Sequence, residues 1–498
     1  MLGIDFNAIP KLFLFDSSDP LLFGSSLFFF LFLGLLILNR IVAKSTNARI
    51  SLLILFSFYF YYKASGLFLL LLILNAVINF YLGKYLGKAE SEGKQKLYLY
   101  LSLLFNLGIL IYFKYTNFFI EVINDFTAGN IQPLDIILPL GISFYTFKSL
   151  SYILDIYLEM MEPTNSFRDY LLFVTFFPNI LSGPIDRASQ FLPQVNKKYF
   201  LTRKQVAMGI MLIMLGLIKK IMIADYISLN FIDRVFDAPE RFTGVENLLA
   251  VYGYALQLYC DFSGYSDIAI GLGLLLGFRL MENFNYPFKA KSISEFWRRW
   301  HISLSSWLLD YVFRPLQMGL RNWRKAGNII ALIITFVLVG FWHGASWAFL
   351  FWGLLHGIYM AVGLLLQGPK RKLYSKFNFT KTKIFGGMQI FVTFNLVAFS
   401  FVFFRASDFS SAIDVFYQII YFFKPSVFIQ FAESFTPTFV LISLGFLFHF
   451  LPSKLNEKTV NWLANRNVIL QAVIFALVIW IVAQVQSADL QPFIYFQF

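Results

Sequence analysis

The sequence predicts an all-α protein: a polytopic bundle of membrane helices, with about eleven or twelve spans if each takes about 20 apolar residues. Three observations predict it. Hydrophobic residues fill 58% of 498 positions and charged residues only 14%, where a soluble globule carries about 25% charged residues. Apolar runs recur from Leu21 to Gln486. The net charge of +13 falls in the loops between those runs, which is the positive-inside pattern of a membrane protein rather than a nucleic-acid footprint. No soluble second domain is visible, so residues 1–498 read as one integral-membrane domain.

The first apolar run, 21–39, is followed by Arg40, Lys44 and Arg49 with no acid among them. Runs 50–62 and 67–82 read as a helical hairpin turning at 63–66. Lys84, Lys88, Lys94 and Lys96 then outweigh Glu90 and Glu92, and after run 97–113 Glu121, Asp125 and Asp135 outweigh Lys114. Two basic loops on one side and an acidic loop on the other place the N-terminus outside the cytoplasm. The first twenty residues carry Asp5, Asp16 and Asp19 and no basic n-region, so no cleaved signal peptide is expected.

Segment 136–157 opens on Pro139 and Gly141 and carries Lys148 and Asp155, and segment 173–185 holds Pro178, Gly183 and Pro184. Such interrupted stretches survive at membrane depth only where protein or a wet cavity meets the freed backbone groups, so they read as re-entrant or flat-lying. Lys197, Lys198, Arg203 and Lys204 mark the cytoplasm again, and 205–223, 248–259 and 268–278 follow as helices. The polar, basic, Trp-bearing stretch 279–325 reads as cytoplasmic interfacial helices. Run 328–342 then climbs outward and 347–366 returns to Lys370, Arg371, Lys372, Lys376, Lys381 and Lys383. Runs 388–404, 439–451 and 469–486 complete the set, the last two forming a C-terminal part at 437–486.

The chemistry-bearing residues are few. The lone Cys260 excludes an intrachain disulfide and a thiolate metal site. The 63 phenylalanines read as packing and interfacial belts. His343 lies in an apolar run between Trp342 and Gly344-Ala345-Ser346. An imidazole in hydrocarbon-like surroundings is costly as a cation and sits neutral, which a general base requires. On the residues alone, a packing histidine bonded to a neighbouring carbonyl is an equal reading. His343 and His356 are thirteen residues apart, roughly 20 Å along a straight helix, so no metal ion is expected between them.

His301 follows Arg298 and Arg299 and precedes Ser303, Ser305 and Ser306. On one helix Arg298, His301 and Ser305 would share a face able to grip an anionic group. Arginines touching lipid headgroups are the competing reading, and spacing favours it. His356 and His449 read as structural. Asp261 and Asp267 stand between apolar helices: Asp267 can cap a helix, whereas Asp261 can serve an ion path or orient a histidine. A glycine-rich phosphate loop, a Cys/His metal spacing and a Gly-x-Ser-x-Gly elbow are all absent.

Several blocks together resemble one family. They are Leu138-Pro-Leu-Gly-Ile-Ser-Phe-Tyr-Thr-Phe147, Phe176-Phe-Pro178 with Ser182-Gly-Pro-Ile185, and Gly216-Leu-Ile-Lys-Lys220. Further on come Tyr259-Cys-Asp-Phe-Ser-Gly-Tyr-Ser-Asp267, Glu295-Phe-Trp-Arg-Arg-Trp-His-Ile-Ser-Leu-Ser305, Gly340-Phe-Trp-His-Gly-Ala345 and Phe403-Phe-Arg-Ala406. Over about 21–410 the chain resembles the membrane-bound O-acyltransferases, on the branch of the alginate O-acetyltransferase membrane subunit and its polysaccharide-acetylating relatives. The sequence departs from the family at Leu309, where relatives carry Arg before Asp310, and at Gln317-Met318, where they carry a glycine pair.

The resemblance implies a bundle with a central tunnel, a catalytic histidine at His343 and an upstream motif histidine at His301. It implies transfer of an acyl group, most simply acetyl, from a cytoplasmic thioester (acetyl-CoA or an acyl carrier) to a hydroxyl outside, for polysaccharide O-acetylation. Arg298, Arg299, Ser305, Asp310, Asp261, Ser263 and Trp342 are expected in support, with no bound cofactor. An extracytoplasmic acyl-accepting protein, membrane lipid and a polysaccharide are the expected partners, at a bacterial cytoplasmic (inner) membrane. Acylation of peptidoglycan, teichoic acid or lipid is the alternative within the chemistry, and a glycan or lipid transporter the alternative outside it. Asn328 starts the His343 helix on the cytoplasmic side, and fifteen residues lift His343 roughly 22 Å. His301 is therefore expected near a cytoplasmic tunnel mouth and His343 deep inside.

Overall fold

A computed structural model describes residues 12–16, 20–127, 129–452, 454–485 and 493. Asp5, Asp19 and Gln486 lie outside them, and with them part of the reading of the N-terminus and of the last span. Among the described residues every regular element is helical and no strand forms. By length and composition seven helices can cross a bilayer, or eight if the bent pair Val427–Ser434 and Thr436–Phe450, kinked by 96°, is one span.

The expected all-α membrane architecture therefore holds, with fewer full-length spans than eleven or twelve. Segments 248–259 and 268–278 are one helix, Gly244–Leu275. The last run is described as the apolar helix Ile469–Val485, and its expected end at Gln486 lies outside the described residues. Run 97–113 does not end at Phe113: Glu92–Leu110 continues through a π-helical turn, Ile111–Tyr115, into Thr116–Thr127. Glu121 and Asp125 thus sit exposed on a helix rather than in a loop, since nothing at Thr116-Asn117 breaks it.

The chain falls into two compact units. The first comprises Met1–Ile213 and Ile268–Met281. Its helix Thr46–Ser65 breaks at Gly66, with φ +59°, and resumes at Leu69–Leu86. The break falls where the turn was expected, but Thr46–Leu86 counts as one candidate span. Its two helices pack mainly on Phe167–Thr175 and on Ile142–Tyr157 rather than on each other, so the expected hairpin is not formed. Polar side chains knit these helices where no hydrophobic force can. Asn106 Nδ2 donates to Asn79 Oδ1 at 2.8 Å, Asn75 Nδ2 to Asn106 Oδ1 at 2.8 Å, and the Ser149 hydroxyl to Asn75 Oδ1 at 2.6 Å.

The interrupted segments behave as their prolines and glycines predict. Helix Ile142–Tyr157 starts after Gly141, whose φ is +74° and whose added Cβ would lie 2.4 Å from the Ile180 carbonyl. Segment 173–185 forms only the end of Phe167–Thr175 and the short Phe177–Ile180. Buried Lys148 and Asp186 are bridged through Asn179: Lys148 Nζ donates to Asn179 Oδ1 at 2.9 Å, and Asn179 Nδ2 to Asp186 Oδ2 at 2.6 Å. The Ser57 hydroxyl accepts the Phe177 N–H at 3.1 Å. Side chains thus replace the helical bonds that the broken backbone forgoes.

The second unit comprises Met214–Asp267 and Glu282–Phe498. Its centre is the antiparallel helical hairpin Arg324–His343 and Trp347–Leu365. A Cβ on Gly340 would stand 2.2 Å from the Phe349 carbonyl, and one on Gly353 2.3 Å from the Phe336 carbonyl. Only glycine permits so close a crossing, and it lies within one turn of His343.

Candidate active site: two imidazoles in an aromatic cage

His343 is the last residue of its helix, where Gly344 carries the chain on in extended backbone. A Cβ on Gly344 would clash with the Phe349 ring at 2.2 Å. The imidazole is 1% exposed and surrounded by rings: Trp342 at 5.0 Å between centroids, Trp352 at 5.2 Å and Phe404 at 5.2 Å. The His301 ring lies 6.4 Å away and packs edge-on against Phe262 at 4.6 Å and Trp342 at 5.8 Å.

The structure thus joins the two histidines that the sequence reading kept apart. The reason is local. Ser292 caps a short helix, Ile293–Trp297, which ends before Arg298. The next helix, Ile302–Leu308, begins only after His301, whose backbone is left-handed at φ +44°, ψ +53°. No continuous helix carries Arg298, His301 and Ser305 on one face. The turn sends Arg298 to the surface and the His301 ring inward, fully buried. Burial pushes the His301 imidazole down to about 3, so it is neutral at physiological pH.

The supporting residues divide accordingly. Arg298 bonds Ser294 at 3.3 Å, and Arg299 pairs with Glu295 at 2.8 Å. The Ser305 hydroxyl donates to the Trp300 carbonyl at 3.1 Å, and Asp310 pairs with Arg314 at 2.8 Å. Trp342 is the expected support residue that borders both imidazoles. Ser263 is buried beside Phe262 on the long helix.

Asp261 and Asp267 find cations from far along the chain. Lys220 pairs with Asp261 and with Asp225, the latter at 2.8 Å, while Lys219 pairs with Asp267 at 2.7 Å. Two features bring them together. Gly264 crosses Gly216 so closely that a Cβ would sit 2.8 Å from its carbonyl. The segment Ile218–Asp225 is π-helical, which sets Lys220 and Asp225, five apart, side by side. Among the described residues no group of three or more His, Cys, Asp or Glu is arranged to hold a metal ion.

Sequence reasoning missed Asn283, which braces the His301 turn, and Gly353, the partner of Gly340 in the helix crossing. A glycine pair on facing helices leaves a readable trace; a lone Asn in a loop leaves none.

The fold and site together define a membrane-embedded all-α protein with two buried histidines, on separate elements, side by side. Residues 54–407 match MBOAT, the membrane-bound O-acyltransferase family, and the chain belongs to it. It is 36% identical over 425 residues to a peptidoglycan O-acetyltransferase of Helicobacter pylori, covering 79% of each chain. It is 38% identical over 385 residues to a probable alginate O-acetylase of Azotobacter vinelandii, covering 76% of each. A teichoic acid D-alanyltransferase of Bacillus subtilis is 34% identical over 286 residues, 56% of this chain and 71% of the relative. The protein is an O-acyltransferase.

Proposed function

We propose that the protein moves an acetyl group from a cytoplasmic thioester to an extracytoplasmic hydroxyl acceptor, for polysaccharide O-acetylation, with His343 as general base. The observation that carries this is the pair of buried imidazoles, 6.4 Å apart inside a cage of Trp and Phe rings, in a chain whose relatives are named for acyl transfer to peptidoglycan, alginate or teichoic acid.

The chemistry asks little else of the protein. His343 takes the hydroxyl proton as the oxygen attacks the thioester carbonyl. The C–S bond then breaks, the ester C–O bond remains, and the imidazolium returns the proton to the departing thiolate. A thiol leaves readily, so positioning and proton removal supply most of the rate. The ring cage excludes water, which would otherwise hydrolyse the thioester. His301 holds the donor, and Trp342 keeps both rings in place. Arg298 and Arg299 meet an anionic arm of the donor at the surface, with Ser305 and Asp310 shaping that approach. Asp261 and Ser263 hold the long helix behind Phe262. Because both imidazoles are buried, the reading requires a tunnel that admits a substrate from each side.

The acceptor is met through an extracytoplasmic protein that takes the acyl group and passes it on, at a bacterial inner membrane. Mass spectrometry of alkali-released acyl groups, comparing a deletion strain with the complemented strain, tests the function. Loss of acetate from a secreted polysaccharide is the expected result. Loss from peptidoglycan instead moves the acceptor to the one named for the Helicobacter relative, and an unchanged ester content in every envelope polymer overturns the reading.

The orientation has its own test. Glu90 is exposed ahead of the helix capped by Ser91, so a cysteine there keeps the cap. Glu90→Cys in a Cys260→Ala background resists a membrane-impermeant maleimide in intact cells if the N-terminus is extracytoplasmic, and ready labelling reverses the topology.

A further inference from the structure

The left-handed turn at His301 needs an explanation, because a residue with a Cβ does not hold that backbone unaided. The stretch 283–285 provides one. The Ile302 N–H donates to the Asn283 carbonyl at 2.9 Å, and the Asn285 N–H donates to the Arg299 carbonyl at 2.9 Å. These two bonds bracket Trp300 and His301 on either side. The Asn283 side chain, 1% exposed, completes the brace. Its Oδ1 accepts the Ser303 hydroxyl at 2.6 Å and the Ser303 N–H at 3.4 Å. Its Nδ2 donates to Ser266 Oγ at 3.1 Å, on the long helix that also presents Phe262 to the His301 ring.

We propose that Asn283 is a positioning residue of this active site: it ties the His301 turn to the Ser266 helix and so fixes the imidazole beside His343. The proposal rests on the reading that His301 serves the reaction. An amide suits the task because one end must accept from Ser303 while the other donates to Ser266. Alanine supplies neither, and a carboxylate supplies only the acceptor. The Asn283 side chain touches neither imidazole in the bonds described, so it acts through the backbone of its neighbour rather than on substrate.

The test compares variants in a complemented deletion strain. Alkali-labile acyl ester formed on envelope polymers is measured per molecule of membrane-inserted protein, alongside the thermal midpoint of the detergent-solubilised chain. Asn283→Ala is expected to lower ester formation at least about tenfold, as small misplacements of catalytic groups do. Asn283→Asp falls between it and the wild type. Ser303→Ala lowers transfer, whereas Ser303→Thr, which keeps the hydroxyl, stays within about twofold of wild type. Ser400→Ala, which removes an equally buried hydroxyl lying 2.9 Å from His356 Nε2, lowers the thermal midpoint and leaves transfer per folded molecule unchanged.

Wild-type ester formation in Asn283→Ala, or a loss matched by lost folded protein, overturns the proposal. If that variant fails to fold, the Ser303→Ala and Ser303→Thr pair decides, and equal activity of the two overturns it. A His301→Ala variant in the same series separates the two levels. Undiminished transfer there removes His301 from the reaction, whereas abolished transfer there with full activity in Asn283→Ala removes only the brace.

Discussion

His343 and His356 occupy the two helices of one hairpin and are equally buried, yet their surroundings differ. His356 is anchored on both sides. The Trp297 indole N–H donates to its Nδ1 at 3.2 Å, and its Nε2 meets the Ser400 hydroxyl at 2.9 Å. Ser400 spends its own proton on the Val397 carbonyl at 2.7 Å, so Nε2–H must be the donor and the tautomer is set. Neither nitrogen is left to take a substrate proton. His343 borders the Trp342, Trp352 and Phe404 rings and a second imidazole, that of His301. Burial is common to both rings, so it is the hydrogen bonds of His356 that mark it as structural, and His343 is the one proposed to react.

The largest effect expected is on that contrast. His343→Ala should reduce acyl transfer by about 10²–10⁴-fold, the worth of a general base, with membrane level and thermal midpoint close to wild type. His356→Ala should do the reverse. Losing two buried hydrogen bonds and the ring's packing costs about 2–4 kcal/mol, while the folded fraction transfers acyl groups normally. Ester formation per folded molecule, measured beside thermal unfolding, separates the two, and a destabilised but fully active His343→Ala would exchange their roles.

A middle-sized effect concerns the crossing that holds His343 in place. Gly353 lies against the Phe336 carbonyl, whereas a Cβ on Gly363, further along the same helix, would meet nothing within 4 Å. Gly353→Ala overpacks the crossing at a cost of about 1–3 kcal/mol. It should also lower transfer, since the helix that must shift carries His343. Gly363→Ala should change neither. If both substitutions leave transfer intact, the glycine crossing is packing alone and does not position the imidazole.

What could be read in the sequence was whatever depends on neighbours along the chain. Helix runs, the break at Gly66, the interrupted segments at Gly141 and Pro178, and the hairpin returning after His343 all follow from local composition. The comparison with known proteins agrees on the family, matching 54–407 within the expected 21–410. Partners brought together by folding were not legible. Asp261 looked unexplained because Lys220 lies on another helix, joined to it by the Gly216–Gly264 crossing and a π-helical turn. The span count ran high in part because a polar stretch around Asp261–Asp267 looked like a loop, when it lies inside one long helix and its charges are paired with Lys220 and Lys219 of a neighbouring element. The meeting of His301 with His343 depends on one left-handed residue, and no periodicity encodes a single φ.

The smallest effect tests what became of the arginine grip. The helix face proposed for Arg298, His301 and Ser305 is broken at the His301 turn, and Arg298 is exposed with Ser294 as its bonding partner. An exposed guanidinium can still attract an anionic donor, but through water, which weakens the interaction. The same turn separates it from the buried His301 ring, so on the proposed reading it serves encounter rather than the transition state. Arg298→Ala should therefore raise the donor concentration needed for half-maximal transfer by about two- to fivefold, leave the maximal rate alone, and lose its effect in high salt. A fall in maximal rate comparable to that of His301→Ala would mean that Arg298 reaches the reacting atoms after all. The contrast between a buried imidazole pair and a solvated arginine at its rim would then have to be redrawn.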